Sequence, residues 1–180
     1  MSLRFTEFYL SVRRDFLLFF YFVKSYVYVT IIAICLMKGG VIMKKDDCIF
    51  CKLANGDIPV DAVYEDDVVK AIFDASPASE GHILILPKDH ADNIYDLTDE
   101  QASGVFRAAK KIACAMRDGL EYDGMNVVQN NGEAAGQTVF HFHMHLIPRY
   151  KGDDVNVGWK PGSLSDEKRA GLLEKIKPGI

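Results

Sequence analysis

The chain has 180 residues, with 21 Lys and Arg against 25 Asp and Glu, for a formal net charge of −4. That balance argues against a protein built to grip nucleic-acid backbone, while leaving a small nucleotide pocket open. The hydrophobic share of 49% suffices for a core, and the length suits one domain plus an appendage.

The appendage comes first. Residues 15–37, "DFLLFFYFVKSYVYVTIIAICLM", are apolar and aromatic over a length that suits a membrane span of about 20 residues. Arg13 and Arg14 before it and Lys38 after it suit an anchor, whereas Lys24 in its middle is costly in a bilayer. No small-residue cleavage motif marks a signal peptide. A different reading starts from "KGGVIM", residues 38–43. Codons for Lys38-Gly39-Gly40 can contain a purine-rich ribosome-binding sequence, so the native protein would begin at Met43 and residues 1–42 would be translated leader. Both readings, anchor and leader, place the chemistry in residues 43–180.

Cys35 and Cys114 look like packing residues. Cys48 and Cys51 form a C-x-x-C pair, "CIFC", which is either a redox dithiol or half of a metal site. No thioredoxin-like strand–helix–strand pattern surrounds it. A disulfide framework is not expected, because this domain has a single further cysteine, Cys114. "VYEDDVVKAIFD" (63–74) then reads as two short strands around a turn at Glu65–Asp67, 75–81 as loop, and "HILILPK" (82–88) as a strand. Residues 97–120 read as the long helix. Thr98 and Gln101 suit a capping box, and Ala102, Val105, Phe106, Ala109, Ile112, Ala113 and Met116 suit an apolar stripe. Residues 124–130 read as a strand, 131–137 as a Gly-rich loop, and 138–148 as a strand. Ser165 is placed to cap a short helix over 165–177. Strands without regular strand–helix alternation indicate an α+β domain with an antiparallel sheet.

The stretch "HFHMHLIPRY", residues 141–150, concentrates three of the five histidines. His141, His143 and His145 alternate with Phe142, Met144 and Leu146, the period of a half-buried strand. The three imidazoles are therefore expected on one face, for catalysis or for metal binding. Just upstream, small residues in "NGEAAGQ" would let backbone N–H groups approach an anion, with Asn130, Gln137 and Thr138 adding neutral polar groups. Phosphate held beside imidazoles suggests phosphoryl or nucleotidyl transfer through a histidine nucleophile.

"NGEAAGQTVFHFHMHLIPR", with "CIFCKLANGDIP", "VYEDD" and "FDASPASEGHILILPKDH" upstream, resembles the histidine triad (HIT) family, in particular its Hint-like bacterial branch. The resemblance covers residues 46–150. It implies an α+β HIT-like fold with a five-stranded antiparallel sheet, one long and one short helix, and dimerisation into a ten-stranded sheet. It implies a purine nucleotide hydrolase acting on nucleoside phosphoramidates, nucleotidyl anhydrides or dinucleotides. His143 matches the family nucleophile, which forms a covalent nucleotidyl-histidine. His145 and His82 match residues lining the phosphate site, and Asn130, Gln137 and Thr138 match phosphate-contacting positions. Asp74 matches the residue that binds the ribose hydroxyls. Ile49, Phe50, Leu53, Ile58, Ile72 and Phe73 match an apolar base pocket. A nucleotidyltransferase using the same intermediate, or a non-catalytic nucleotide-binding protein, are the alternatives, and an intact His143 weighs against the latter.

The resemblance also implies a structural zinc on Cys48, Cys51, His90 and His141, as in some bacterial members. It implies a homodimer built through the sheet and the long helix, where Gly104, Ala108 and Ala115 would allow close approach. The C-terminal segment, with Trp159, is expected to reach the partner's site. The expected location is cytoplasmic, with no nucleic-acid partner, and with a membrane only if residues 1–42 are an anchor.

Overall fold

A computed structural model of the chain describes residues 43–180. The anchor and leader readings of residues 1–42 lie outside the described residues. Five strands, all paired antiparallel, make one sheet in the order β1-β2-β3-β5-β4 among the described residues. They are β1 (Ala62–Glu65), β2 (Val69–Phe73), β3 (Ile83–Pro87), β4 (Gly124–Val128) and β5 (Met144–Arg149). The helices are α1 (Ile49–Ala54), α2 (Asp99–Gly119) and α3 (Asp166–Ile176). No helix among the described residues is long and apolar enough to cross a membrane.

The two faces of the sheet have different jobs. On one face Val69, Ala71, Ile83, Ile85, Met144 and Leu146 pack against Val105, Ala108, Ala109, Ile112 and Met116 of α2. On the other face Ile72, Leu84 and Leu86 meet Phe50, Leu53 and Ala54 of α1. β2 and β3 are thus covered on both sides, which explains their near-continuous apolar runs. Helix α2 begins at a complete capping box: Gln101 N–H donates to Thr98 Oγ1 and Thr98 N–H to Gln101 Oε1. Such a cap contributes about 1 kcal/mol.

The buried stripe of α2 is rotated from the expected one. Gln101 and Gly104 are buried, while Phe106 is 65% exposed. Gly104 is needed there, because a Cβ would come within 2.6 Å of Val68 Cγ1. Gly104 and Ala108 therefore face their own subunit's core and not a second helix, a correction to the expected dimer contacts. Ala115 is exposed.

The histidine strand is shorter than its alternation suggests. Pairing of β5 starts at Met144, so His141 and His143 precede it. Beyond Ile85 the neighbouring strand ends at Pro87, which has no N–H to donate. Phe142 N–H instead donates to Ala91 O at 2.6 Å, and His141 N–H to Val139 O at 2.9 Å. Alternation survives: Phe142, Met144 and Leu146 enter the α2-side core, and the histidines take the α1 side. Helix α1, which the sequence pattern did not announce, is N-capped by the side chain of Cys48.

Candidate active site and metal site

β5 places His145 opposite Leu84 of β3 and Val128 of β4, on the face that α1 covers. Two residues earlier, His143 Nδ1 lies 2.7 Å from the backbone oxygen of His141. A carbonyl only accepts, so the proton sits on Nδ1 and the Nε2 lone pair is left to react. The rings of His143 and His145 have centroids 5.0 Å apart. The edge of Phe50 closes the other side of His143, with centroids 5.0 Å apart and planes at 74°.

The β2–β3 connection supplies the next two groups. Asp74 N–H donates to His82 O at 3.0 Å, closing the loop so that both side chains stand at its base. Ala78 N–H donates to His82 Nδ1 at 3.0 Å, which forces the neutral ring to carry its proton on Nε2. That Nε2–H donates to His145 Nδ1 at 2.9 Å, so His145 in turn carries its proton on Nε2. Asp74 Oδ2 stands 3.6 Å from His82 Nε2 and 4.0 Å from His145 Nδ1. Burial, with His143 and His82 nearby, holds the His145 pKa down to about 4. Burial also lowers that of His82, against the pull of Asp74. Both rings are therefore neutral at pH 7, with tautomers set by their hydrogen bonds.

The remaining two histidines join the cysteines. His90 Nδ1 lies 3.3 Å from Cys51 Sγ and 3.2 Å from His141 Nδ1. His141 Nδ1 lies 3.5 Å from both Cys48 Sγ and Cys51 Sγ. Metal bonds of about 2.3 Å to sulfur and about 2.0 Å to nitrogen give tetrahedral edges of roughly 3.3–3.6 Å. The observed separations fit that frame. The outer ring nitrogens are also engaged as metal-binding histidines require: His90 Nε2–H donates to Asp92 Oδ1 at 2.7 Å and His141 Nε2–H to Pro87 O at 3.0 Å. Two unprotonated nitrogens therefore face each other beside two thiols, an arrangement that a cation resolves. Burial pushes the Cys51 thiol up to about 11 and the His141 imidazole down to about 4. The neutral imidazole is ready to ligate, and the thiol ionises when a metal supplies the charge.

Asp74, His82 and His145 also bring their donor atoms within 4.8 Å of one another, as the Cys₂His₂ set does. Hydrogen bonding separates the two groups. His82 accepts a backbone N–H on Nδ1, so a metal on Nε2 would need an imidazolate. The Cys₂His₂ set fits a metal, whereas His82 and His145 are joined by a hydrogen bond with the Asp74 carboxylate beside them at 3.6 and 4.0 Å.

The Gly-rich loop departs from the expected role of one residue. Gln137 is buried, and its amide is fully engaged: Oε1 accepts from Gly132 N–H at 2.8 Å, and Nε2 donates to Asp92 O and Val139 O at 2.6 and 3.0 Å. It braces the loop here, with Gly132 and Gly136 at φ +83° and +88°, a conformation glycine tolerates. Thr138 is exposed and lines a cleft of about 270 Å³ with Lys45, Asp47 and Ile49. Asn130 is half-buried, near Gly136. Phe50, Leu53 and Ile72 come together. Phe73 does not join them and lines a groove under α2 with Ile83 and Ile112. Asp92 was missed by the sequence reading, although it follows His90 by two residues. The carbonyls of Pro87 and His141 leave no signal in sequence at all.

A family model described as "HIT domain" matches residues 55–152. "Protein hit" of Bacillus subtilis is 53% identical over 136 residues, spanning 75% of this chain and 92% of that protein. An adenosine 5'-monophosphoramidase of Schizosaccharomyces pombe is 37% identical over 134 residues, spanning 74% and 98%. Among solved structures, a HIT family member from Bacillus subtilis superposes with a TM-score of 0.70 at 46% identity, covering 75% of this chain and 98% of that one. A zinc-bound histidine triad protein from Mycobacterium smegmatis superposes with a TM-score of 0.58 at 35% identity, covering 74% and 98%.

Proposed function

Because the chain belongs to the HIT (histidine triad) family, we propose that it hydrolyses purine nucleoside phosphoramidates or related nucleotidyl substrates through a nucleotidyl-histidine intermediate. The observation that carries this reading is the His143 ring, fixed by the His141 carbonyl at 2.7 Å with Nε2 left unprotonated. Nε2 attacks the α-phosphorus, and the bond from phosphorus to the leaving nitrogen breaks. The nitrogen departs as an amine that takes its proton from solvent, while the Nε2–H of neutral His145 donates a hydrogen bond to the reacting group. Water then attacks the phosphorus and releases the nucleoside monophosphate and free His143. Backbone N–H groups of the loop around Gly132 and Gly136, with Asn130 and Thr138, take the phosphate oxygens. Asp74 accepts from the ribose hydroxyls, and Phe50, Leu53 and Ile72 form the wall for the base. The phosphoramidase activity named for the fission-yeast relative supports the choice of substrate class.

The Cys48, Cys51, His90 and His141 set takes one zinc per subunit. With four protein ligands the site is closed and its contribution is structural. Reduced thiol ligands suit a cytoplasmic setting. The subunit pairs with a second copy through β4, which stands at an edge of the sheet with Val127 exposed. Pairing of two such edges continues the sheet to ten strands and removes the exposed edge. Trp159 is 86% exposed and α3 buries none of its residues, which leaves the C-terminal segment free to contact the partner.

The test is hydrolysis of a panel of adenosine and guanosine 5'-phosphoramidates and dinucleoside polyphosphates. Turnover of the phosphoramidates is expected. A protein that binds nucleoside monophosphate but turns over none of the panel overturns the hydrolase reading.

A further inference from the structure

We propose that His141 is a positioning residue that couples the metal centre to the nucleophile. The proposal rests on His143 being the reacting residue. Its physical basis is that one residue serves both sites at once. The His141 ring reaches the cluster, with Nδ1 3.5 Å from each cysteine sulfur and 3.2 Å from His90 Nδ1. The backbone oxygen of the same residue holds His143 Nδ1–H at 2.7 Å. Locking the ring of His141 from two sides, by the cluster and by Pro87 O, fixes the peptide that selects the reactive tautomer of His143.

Phe142 anchors this segment in the α2-side core, but its backbone is outside the sheet ladder. It lies before the first paired residue of β5, and its N–H groups go to Val139 O and Ala91 O. The residues that flank it in space are governed by the same cluster. Phe50, whose ring edge packs on His143 with centroids at 5.0 Å and on His141 at 6.0 Å, sits in α1 between the two cysteines. That helix has six residues, too few to be stable alone. Packing on Ile72, Leu84 and Leu86 and a metal on Cys48 and Cys51 would together set where Phe50 stands. His82 and His145, by contrast, take their tautomers from Ala78 N–H on the β2–β3 loop, and no ligand of the cluster touches them. The centre is thus expected to act on one histidine of the site and not on the other two.

The readout is the tautomer of each histidine by long-range proton–nitrogen NMR on the 180-residue chain, without substrate. It therefore fails or succeeds independently of the phosphoramidase reading. In zinc-loaded protein His143 is expected as the single Nδ1–H form, with His82 as Nε2–H. Removal of zinc with a chelator should turn His143 into a mixture of tautomers while His82 keeps its signal, and zinc added back should restore the single form. A His143 that stays purely Nδ1–H in the metal-free protein, or that is Nε2–H in the loaded one, overturns the proposal. Should the His82 signal vanish with the chelator, the domain has unfolded, and exchange of zinc for cadmium decides, since cadmium forms longer bonds to sulfur and keeps the site filled. A shift of the His143 Nδ1–H resonance with His82 unmoved supports the coupling. No shift, or equal shifts at both rings, refutes it.

Discussion

His143 differs from His145 and His82 in one respect that sequence does not show: its proton is on Nδ1 and theirs are on Nε2. His143 is expected to be indispensable. His143→Ala should lower turnover of a phosphoramidate by several orders of magnitude, because the covalent path is deleted, while nucleoside monophosphate binding largely survives. A near-normal rate in that variant contradicts its role as nucleophile. The half-buried, neutral state of His145 also has a consequence for pH. Its folded pKa of about 4 lies below the unfolded value of about 6.5. Between those values the unfolded chain binds more protons, so stability is intact above about pH 6.5 and falls as pH drops toward 4. Urea midpoints measured from pH 7 to pH 4.5 should show this slope, to which His141 and His82 add in the same direction, and His145→Asn should make it shallower. An unchanged slope in the variant assigns the dependence to other groups. Gln137 acts differently again. With its amide holding Gly132, Asp92 and Val139, Gln137→Ala should cost about 1–3 kcal/mol of stability by leaving buried partners unpaired. Chemical denaturation within a few tenths of a kcal/mol of the parent contradicts a bracing role.

Helix α1 rests on the sheet through Phe50, Leu53 and Ala54, with its cysteines at its start. Cys48 caps it and Cys51 is buried within it. Cys48→Ser is expected to bring zinc well below one equivalent per subunit and to lower Tm by at least about 5 °C, roughly 1–2 kcal/mol for a domain of this size. Full zinc content in the variant, measured by elemental analysis of protein purified without added metal, places the metal elsewhere. The strands, the long helix and its Thr98–Gln101 cap were legible in sequence, because alternation and capping are local. What was not legible depends on distant partners. Helix α1 depends on packing against Ile72, Leu84 and Leu86 far along the chain, and the late start of β5 depends on Pro87 and Ala91. The inward turn of Gln137 depends on the carbonyl of Asp92. Phe106 misled because a Phe at helical spacing reads as core, whereas Gly104 and Gln101 take the inner face against Val68 and Asp89. The motif named the candidate site residues, and the fold supplies the hydrogen bonds that set their tautomers.

At the level of assembly, β4 gives the subunit an edge that pairing with a second copy would close. A chain beginning at Met43 is expected to be dimeric by light scattering, zinc-loaded and fully active, since the five strands, the Cys₂His₂ set and the groups around His143 all follow that residue. A monomeric or inactive shortened chain, beside a dimeric and active full chain, would make residues 1–42 part of the working protein. The reaction itself is best examined by rapid quenching of the enzyme with adenosine 5'-phosphoramidate, followed by mass spectrometry and peptide mapping. The expected result is a transient gain of one adenylyl group per subunit, located on His143 and absent from His143→Ala. Turnover without any adduct, or an adduct on another residue, contradicts the assignment of His143 as the nucleophile.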